Sequence, residues 1–269
     1  MVNFRGILKG LRGLGLDPTW PVVAHASLSA FGEVQGGADT LLGALLAVSN
    51  ALIMPAFTYK TMIIPEVGPS NNGLDYGKGI YTNQMAVIFN PSMPVDRMMG
   101  RIPEALRQYP KAARSLHPIL SFTGVNAGPI LDSQTYVEPL APIERLMEAG
   151  GWVLLLGIDH TVNTSIHYGE RLAGRKQFLR WALTRHGVRE CPGFPGCSEG
   201  FQQIEPHLGK IARQVQIGDA LVQALPLAEM IPIVVDLIKS DPTALLCSRL
   251  NCPRCGAIRA GLAEKGYPE

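Results

Sequence analysis

The stretch Gly151-Trp-Val-Leu-Leu-Leu-Gly157, continued by Ile158-Asp-His-Thr-Val-Asn-Thr-Ser-Ile-His-Tyr-Gly-Glu170, sets an unbroken apolar run directly against a tract of reactive side chains. Trp152 to Leu156 has the length of a buried strand and is too short for a core helix. Asn163, Thr164 and Ser165 are residue types that cap a helix N-terminus, so a helix is expected from Ile166. On such a helix His167 and Glu170 share one face. An imidazole whose tautomer and basicity are set by a carboxylate, at the C-terminal end of a strand, is the arrangement a general base requires. A surface His–Glu pair on an ordinary helix is the alternative that spacing alone leaves open.

Outward from this segment the chain alternates short apolar strands with helical stretches. Pro21 to His25 reads as a strand, Ala38 to Asn50 as a helix and Ala51 to Phe57 as the next strand. Ile102-Pro-Glu-Ala-Leu-Arg107 opens a helix with proline in its first turn, and Ser121 to Ala127 reads as a further strand. The pattern is α/β. Residues 58–82, rich in Gly, Pro and Asn, are too long for a plain connector and read as a substrate loop or lid. Glu190-Cys-Pro-Gly-Phe-Pro-Gly-Cys-Ser-Glu199 reads as irregular. There is no internal repeat.

The chain has 269 residues, 46% of them hydrophobic and 17% charged, enough to fill a large core. A net charge of +2 with no long basic stripe argues against a nucleic-acid partner and suits a small anionic ligand. Met1-Val-Asn-Phe-Arg-Gly6 lacks a signal pattern and no apolar run approaches a membrane span, so a cytoplasmic location without membrane attachment is expected. The five cysteines, Cys191, Cys197, Cys247, Cys252 and Cys255, then read as reduced, partly buried structural thiols, and no metal is assigned. Cys247-x4-Cys252-x2-Cys255 approaches zinc-ligand spacing, with Cys191 or Cys197 as a fourth thiolate, but one of the two ligand turns is irregular.

Other motifs carry chemistry of their own. His25-Ala-Ser-Leu-Ser29 follows an apolar strand and precedes Gly32 and Gly36-Gly37, so hydroxyls and free backbone N–H groups gather at a strand-to-helix junction able to hold phosphate or an oxyanion. A capped turn around a core histidine explains it equally well. Arg114-Ser-Leu-His-Pro118 places a guanidinium, a hydroxyl and an imidazole together in a loop suited to phosphate or pantetheine amides, with a structural His117 as the rival. Gly196-Cys-Ser-Glu-Gly200 has the written form of a nucleophile elbow, but Pro192, Gly193 and Pro195 argue against a strand leading into it, so Ser198 reads as a turn residue.

Taken in order, His25 to Ser29 with Gly36-Gly37-Ala38, Met54-Pro-Ala-Phe57, Gly100-Arg-Ile-Pro-Glu104, Arg114 to Pro118 and Asn163 to Glu170 closely resemble the aminoglycoside 3-N-acetyltransferase family, across residues 21 to 256. The resemblance implies a single domain over 1–269 with a three-layer α/β/α sandwich around a mixed sheet. It implies transfer of acetyl from acetyl-CoA, as cosubstrate, directly to an amine of a 2-deoxystreptamine-type acceptor. By the same resemblance His167 is the catalytic base, Glu170 its carboxylate and His25 a second active-site histidine. Ser27, Leu28, Ser29, Arg114, Ser115 and Thr164 line the cofactor, and His117 falls in the same motif. The acceptor cleft departs from the expectation for a polycation, since Glu66 and Asp75 in the long loop are its main acidic candidates, with Asp159, Glu190, Glu199 and Glu205 scattered elsewhere. Two rival readings stand beside this one. One is a metal-dependent hydrolase built on His25, His160, His167 and Glu170, and the other a CoA-binding homologue without turnover. The sequence leaves the oligomeric state open.

Overall fold

The computed structural model describes residues 1–264 and residue 266. Among them run ten strands: β1 (Val22–Ala26), β2 (Leu52–Pro55), β3 (Met62–Ile63), β4 (Ala112–Arg114), β5 (Phe122–Val125), β6 (Trp152–Leu156), β7 (Phe178–Thr184), β8 (Gly187–Phe194), β9 (Arg213–Ile217) and β10 (Ala220–Pro226). Seven form one sheet in the order β4-β5-β2-β1-β6-β10-β9. Its central strands β2, β1 and β6 are parallel and the outer pairings are antiparallel.

The unbroken apolar run of β6 follows from cover on both faces, because successive side chains of a strand point to opposite sides. Val153 and Leu155 enter a core with Ile143, Leu146, Met230 and Val234, from the helices Ala141–Glu148 and Leu227–Ser240. Leu154 and Leu156 enter a second core with Ile7, Leu41, Leu45 and Ile102, from Phe4–Gly13, Gly37–Leu46 and Arg101–Gln108. β1 divides likewise, with Val23 on the first face and Val22 and Ala24 on the second. Each such large side chain, fully buried, stabilises the fold by about 1.5–3 kcal/mol. The product is the expected three-layer α/β/α arrangement on a mixed sheet.

A smaller antiparallel sheet, β3-β7-β8, stands apart from the seven-stranded one. It corrects the reading of 190–199 as wholly irregular, since β8 runs on to Phe194. Phe178 pairs with Phe194 and Arg180 with Cys191, so two steps on β7 face three on β8. The extra residue is a β-bulge, and Pro192 with Gly193 at φ +72° supplies it, which is how proline and glycine are accommodated inside a strand. Residues 58–82 carry a short 3-10 turn, β3 and the start of the helix Ile80–Gln84, so the long loop is partly ordered by its own hydrogen bonds: Asn83 bonds both N–H and C=O of Ile64.

The segment joining β4 to β5 gives another correction. Arg114 directs its guanidinium inward, with Nε donating to Ser121 Oγ (3.0 Å), Nη1 to Met93 O (2.6 Å) and Nη2 to Ala56 O (2.6 Å). Burial, and then the neighbouring Arg107, pull its pKa down to about 10, so it stays charged and its donors are spent on the fold. Ser115 Oγ is engaged by the N–H of Phe122 and by Gln134. His117 Nδ1 accepts from the N–H groups of Ile119 and Leu120 at 3.1 and 2.9 Å, capping the turn into β5. These three residues clamp the connection and do not line the cleft described below.

Burial lowers the pKa of His117 to about 3 against an ordinary 6.5, so the unfolded chain binds the proton that the folded chain refuses. Its contribution to stability is complete above pH 6.5 and is lost as the pH falls from there toward 3. A His117→Asn variant, which keeps an acceptor for the two N–H groups, should lose about 2 kcal/mol less stability than the parent between about pH 8 and about pH 5. Urea midpoints at the two pH values measure this, and an equal loss in both proteins would contradict the assignment.

Candidate active site

The helix Gly37–Leu46 carries the chain from β1 to β2 across one face of the sheet, and the helix Ala141–Glu148 leads into β6 across the other. The strand order therefore reverses between β1 and β6, and their C-terminal ends flank a crevice of the kind in which open α/β sheets bind ligands. A hydrogen bond from Ser27 N–H to Leu156 O (3.0 Å) joins the two strand ends there.

Asn163 ends the turn after β6 and caps the helix Thr164–Leu172, its side chain accepting from Ser165 N–H. The helix packs tightly on Leu227–Ser240, since a Cβ on Gly169 would lie 2.6 Å from Val234. This fixes the face that carries His167 and Glu170. His167 Nδ1 and Glu170 Oε2 are 2.6 Å apart, with the two residues 8% and 1% exposed. Glu170 Oε1 accepts from Arg175 Nη1 at 2.8 Å, and Arg175 Nη2 donates to the carbonyls of Pro242 (2.9 Å) and Ala244 (2.7 Å). Both carboxylate oxygens are thus engaged. With Nδ1–H donating to Glu170, Nε2 of His167 is the acceptor. Phe201 packs edge-on against the imidazole, 4.6 Å between ring centroids.

Two cavities meet at this point. One, of about 710 Å³, is lined by His25, Ser27, Leu28, Ser29, Arg101 and Thr164, among others. The other, of about 690 Å³, is lined by Thr164, His167, Arg180, Glu199 and Arg254, together with Gly73 and Leu74 of the long loop. Phe57, Met98, Met99, Val162 and Thr164 border both. The first cavity receives the N-terminus of the helix Arg101–Gln108, entered through Gly100 at φ +87°, and Arg101 is exposed beside it. Backbone N–H groups, a helix dipole and a guanidinium make that end suited to phosphate. His25 is buried there, and desolvation lowers its pKa to about 3, so it is neutral at ordinary pH.

His25, Ser27, Leu28, Ser29, Thr164, His167 and Glu170 are therefore brought together, and Arg114, Ser115 and His117 are not. Asp159 lies at the turn after β6 but is exposed and caps that turn, accepting from Thr161 N–H and Oγ1. Glu66 and Asp75 are exposed on the long loop, Asp75 beside Lys78, and neither lines the two cavities. Glu199, half exposed and paired with Arg249 at 2.7 Å, is the carboxylate that borders the His167 cavity. His25, His160, His167 and Glu170 do not converge as a metal-ligand set among the described residues, which removes the basis of the hydrolase reading. Arg101 and Arg175 went unassigned from sequence. Arg101 sits after a glycine at a helix start, a legible signal. Arg175 meets Glu170 only because Gly174 at φ +80° turns the chain back, and a spacing of five carries no helical signature.

Among the described residues no helix is long and apolar enough to cross a membrane. The solved structure of aminoglycoside acetyltransferase AAC(3)-IVa superposes with a TM-score of 0.78 over 96% of this chain and 97% of that one, at 22% identity. AAC-IIIb, solved as a binary complex with CoASH, superposes with a TM-score of 0.70 over 88% and 96%, also at 22% identity. Both likenesses concern the fold. In sequence, aminoglycoside N(3)-acetyltransferase IX of Micromonospora chalcea is 33% identical over 178 residues, 62% of this chain and 61% of that protein. The chain thus aligns with about three-fifths of the length of several curated relatives. A sequence-family model described as aminoglycoside 3-N-acetyltransferase matches residues 23–239, most of the length, and the chain belongs to that family.

Proposed function

We propose that this chain transfers an acetyl group from acetyl-CoA directly to an amine of an aminoglycoside-class acceptor, with His167 as the general base, and that residues 1–269 act as one domain, of which residues 265 and 267–269 lie outside the described part. The observation that carries the proposal is the His167–Glu170–Arg175 chain, aimed into a cleft whose other half is built for a phosphate-bearing ligand. Family membership and the relatives' names support the same reading.

In this mechanism the pantetheine arm runs past Ser27 to Ser29 and Thr164, and the phosphates lie toward Arg101 and its helix N-terminus. The acceptor enters from the His167 side. His167 Nε2 takes the proton from the attacking amine as the C–N bond forms, Glu170 stabilises the imidazolium, and the proton passes to the CoA thiolate as the C–S bond breaks. Backbone N–H groups at Leu28 and Ser29 face the oxyanion. Neutral His25 supplies shape and a hydrogen-bonding nitrogen and takes no part in charge transfer. On the acceptor side Arg180 and Arg254 stand against Glu199, so the cleft attracts a polycation weakly and contacts to hydroxyls carry more of the recognition.

Replacing His167 with Ala should leave folding and CoA binding intact while acetyl transfer falls by about 10²-fold or more, with a changed pH profile. The assay is CoA-thiol release with a panel of amines that includes 2-deoxystreptamine aminoglycosides, and near-full turnover with an unaltered profile would sink the mechanism. Glu170→Gln should reduce turnover less but also leave Arg175 without its carboxylate, lowering stability by about 3–5 kcal/mol in denaturant titration.

A second pair of variants separates the two arginines. Arg101→Ala should weaken CoA binding by about 10-fold at unchanged stability, the scale of one lost charge-assisted contact. Arg114→Ala should lower the melting temperature, with CoA affinity preserved in the folded fraction. Calorimetry giving the reverse pattern would return Arg114 to the cofactor site.

A further inference from the structure

Four of the five cysteines converge beneath the cleft, Cys197 joining three that lie about fifty residues later in the chain. The Sγ atoms of Cys197, Cys247, Cys252 and Cys255 all lie within 4.8 Å of one another, and the four residues are between 0 and 4% exposed. Cys197 comes from the loop that follows β8. Cys247 lies in the irregular segment before the helix Pro253–Ala263, Cys252 caps that helix and Cys255 stands in its first turn. Tetrahedral zinc with Zn–S bonds of about 2.3 Å spaces its sulfurs about 3.8 Å apart, so the quartet needs at most about an ångström of contraction to reach that geometry.

We propose that Cys197, Cys247, Cys252 and Cys255 hold one zinc ion in a closed tetrathiolate site that ties the loop after β8 to the C-terminal helix. Three features beyond the count of ligands favour it. The sulfurs form one group of four, whereas disulfides require pairs at bonding distance. Cations surround a site that would carry net negative charge: Arg249 Nη2 is 3.9 Å from Cys197 Sγ, and Arg259 Nη2 donates to Cys247 O at 2.5 Å. The capping position and first turn of a helix, where Cys252 and Cys255 stand, favour thiolates. Cys191 is equally buried but lies outside the quartet, its sulfur directed to Arg189 O at 3.8 Å.

With all four positions taken by protein sulfur the ion has no place for substrate, so its role is structural. Its position gives that role a purpose. A Cβ on Gly196, the residue before Cys197, would lie 3.8 Å from a Glu170 oxygen. Arg175 is anchored on the carbonyls of Pro242 and Ala244, three residues before Cys247. Gly200 abuts Leu245 and Leu246 so closely that a Cβ would lie 2.4 Å from Leu245 O. The proposed zinc therefore closes the two segments that brace Glu170 from either side, and it stands independently of the acetyl-transfer reading.

The test is elemental analysis and native mass spectrometry of untagged protein purified without added metal or chelator. One zinc per chain is expected, released together with four thiols by an organomercurial and reported by a zinc-binding dye. Refolding with cobalt in place of zinc should give the visible absorption of a tetrahedral tetrathiolate. Cys247→Ser and Cys197→Ser should lose the zinc, and Cys191→Ser should retain it. Should the cluster variants fail to fold, the metal content and cobalt spectrum of the parent protein still decide. Protein that lacks zinc even after refolding in its presence, four cysteines found as disulfides, or zinc retained in Cys247→Ser would each overturn the proposal.

Discussion

Glu170 brings a carboxylate to a position 1% exposed, where an uncompensated charge would cost several kcal/mol, and much of the molecule around the cleft is arranged to compensate it. One oxygen meets His167 and the other Arg175. Arg175 is itself 7% exposed and must be satisfied in turn, which it is by two carbonyls of the segment 242–244. The constraint thus propagates from the helix Thr164–Leu172, through the reversal at Gly174, to a stretch of chain nearly seventy residues later. An imidazole held by a carboxylate that is held in turn by a guanidinium cannot swing out of its orientation without leaving one buried carboxylate oxygen without a donor. Rigidity at the base is therefore a by-product of electrostatic necessity.

The layered architecture was legible because its cause is local. A run such as Trp152 to Leu156, apolar at every step, has few alternatives to a strand covered on both faces. The same holds for the helix after Asn163, whose cap is written in consecutive residues. What escaped sequence reasoning depends on distant parts of the chain. β8 was missed because Pro192 and Gly193 argue against a strand everywhere except at a bulge, and a bulge is defined by its partner β7. Arg175 was missed because its carboxylate is reached by a turn, and the choice between Cys191 and Cys197 as a fourth thiolate stayed open because only the fold brings Cys197 to the other three.

Arg114 and Arg101 show how motif chemistry misleads. Both lie in stretches that resemble the family, and a guanidinium beside serine and histidine suggests a phosphate site on composition alone. Whether an arginine is available to a ligand depends on how many of its donors the fold has already taken, and sequence does not print that number. Around Arg114 the carbonyls of Ala56 and Met93 claim it, whereas Arg101, the first residue of its helix, is exposed at the helix N-terminus. The fold brings His25, Ser27, Thr164, His167 and Glu170 to one crevice because all lie at or after strand ends, whereas the residues read from the 114–118 loop lie away from it.

The extra residue in β8 bears on how this protein can change over generations. The bulge at Pro192 and Gly193 sets the phase with which the chain leaves the small sheet, and Cys197, Glu199 and Phe201 all take their direction from that exit. An insertion or deletion of one codon between Phe178 and Phe201 would rotate these side chains away from the base and from the cysteine quartet together. Length variation should therefore be purged there. By contrast, the loop 58–82 reaches the cleft through Tyr59, Met62, Gly73 and Leu74 on the acceptor side, and its hydrogen bonds hold it at Ile64 and at Asn72, so change between those two points bears on the acceptor more than on the base. New acceptors would be acquired on that side of the molecule, while the side behind Glu170 stays fixed.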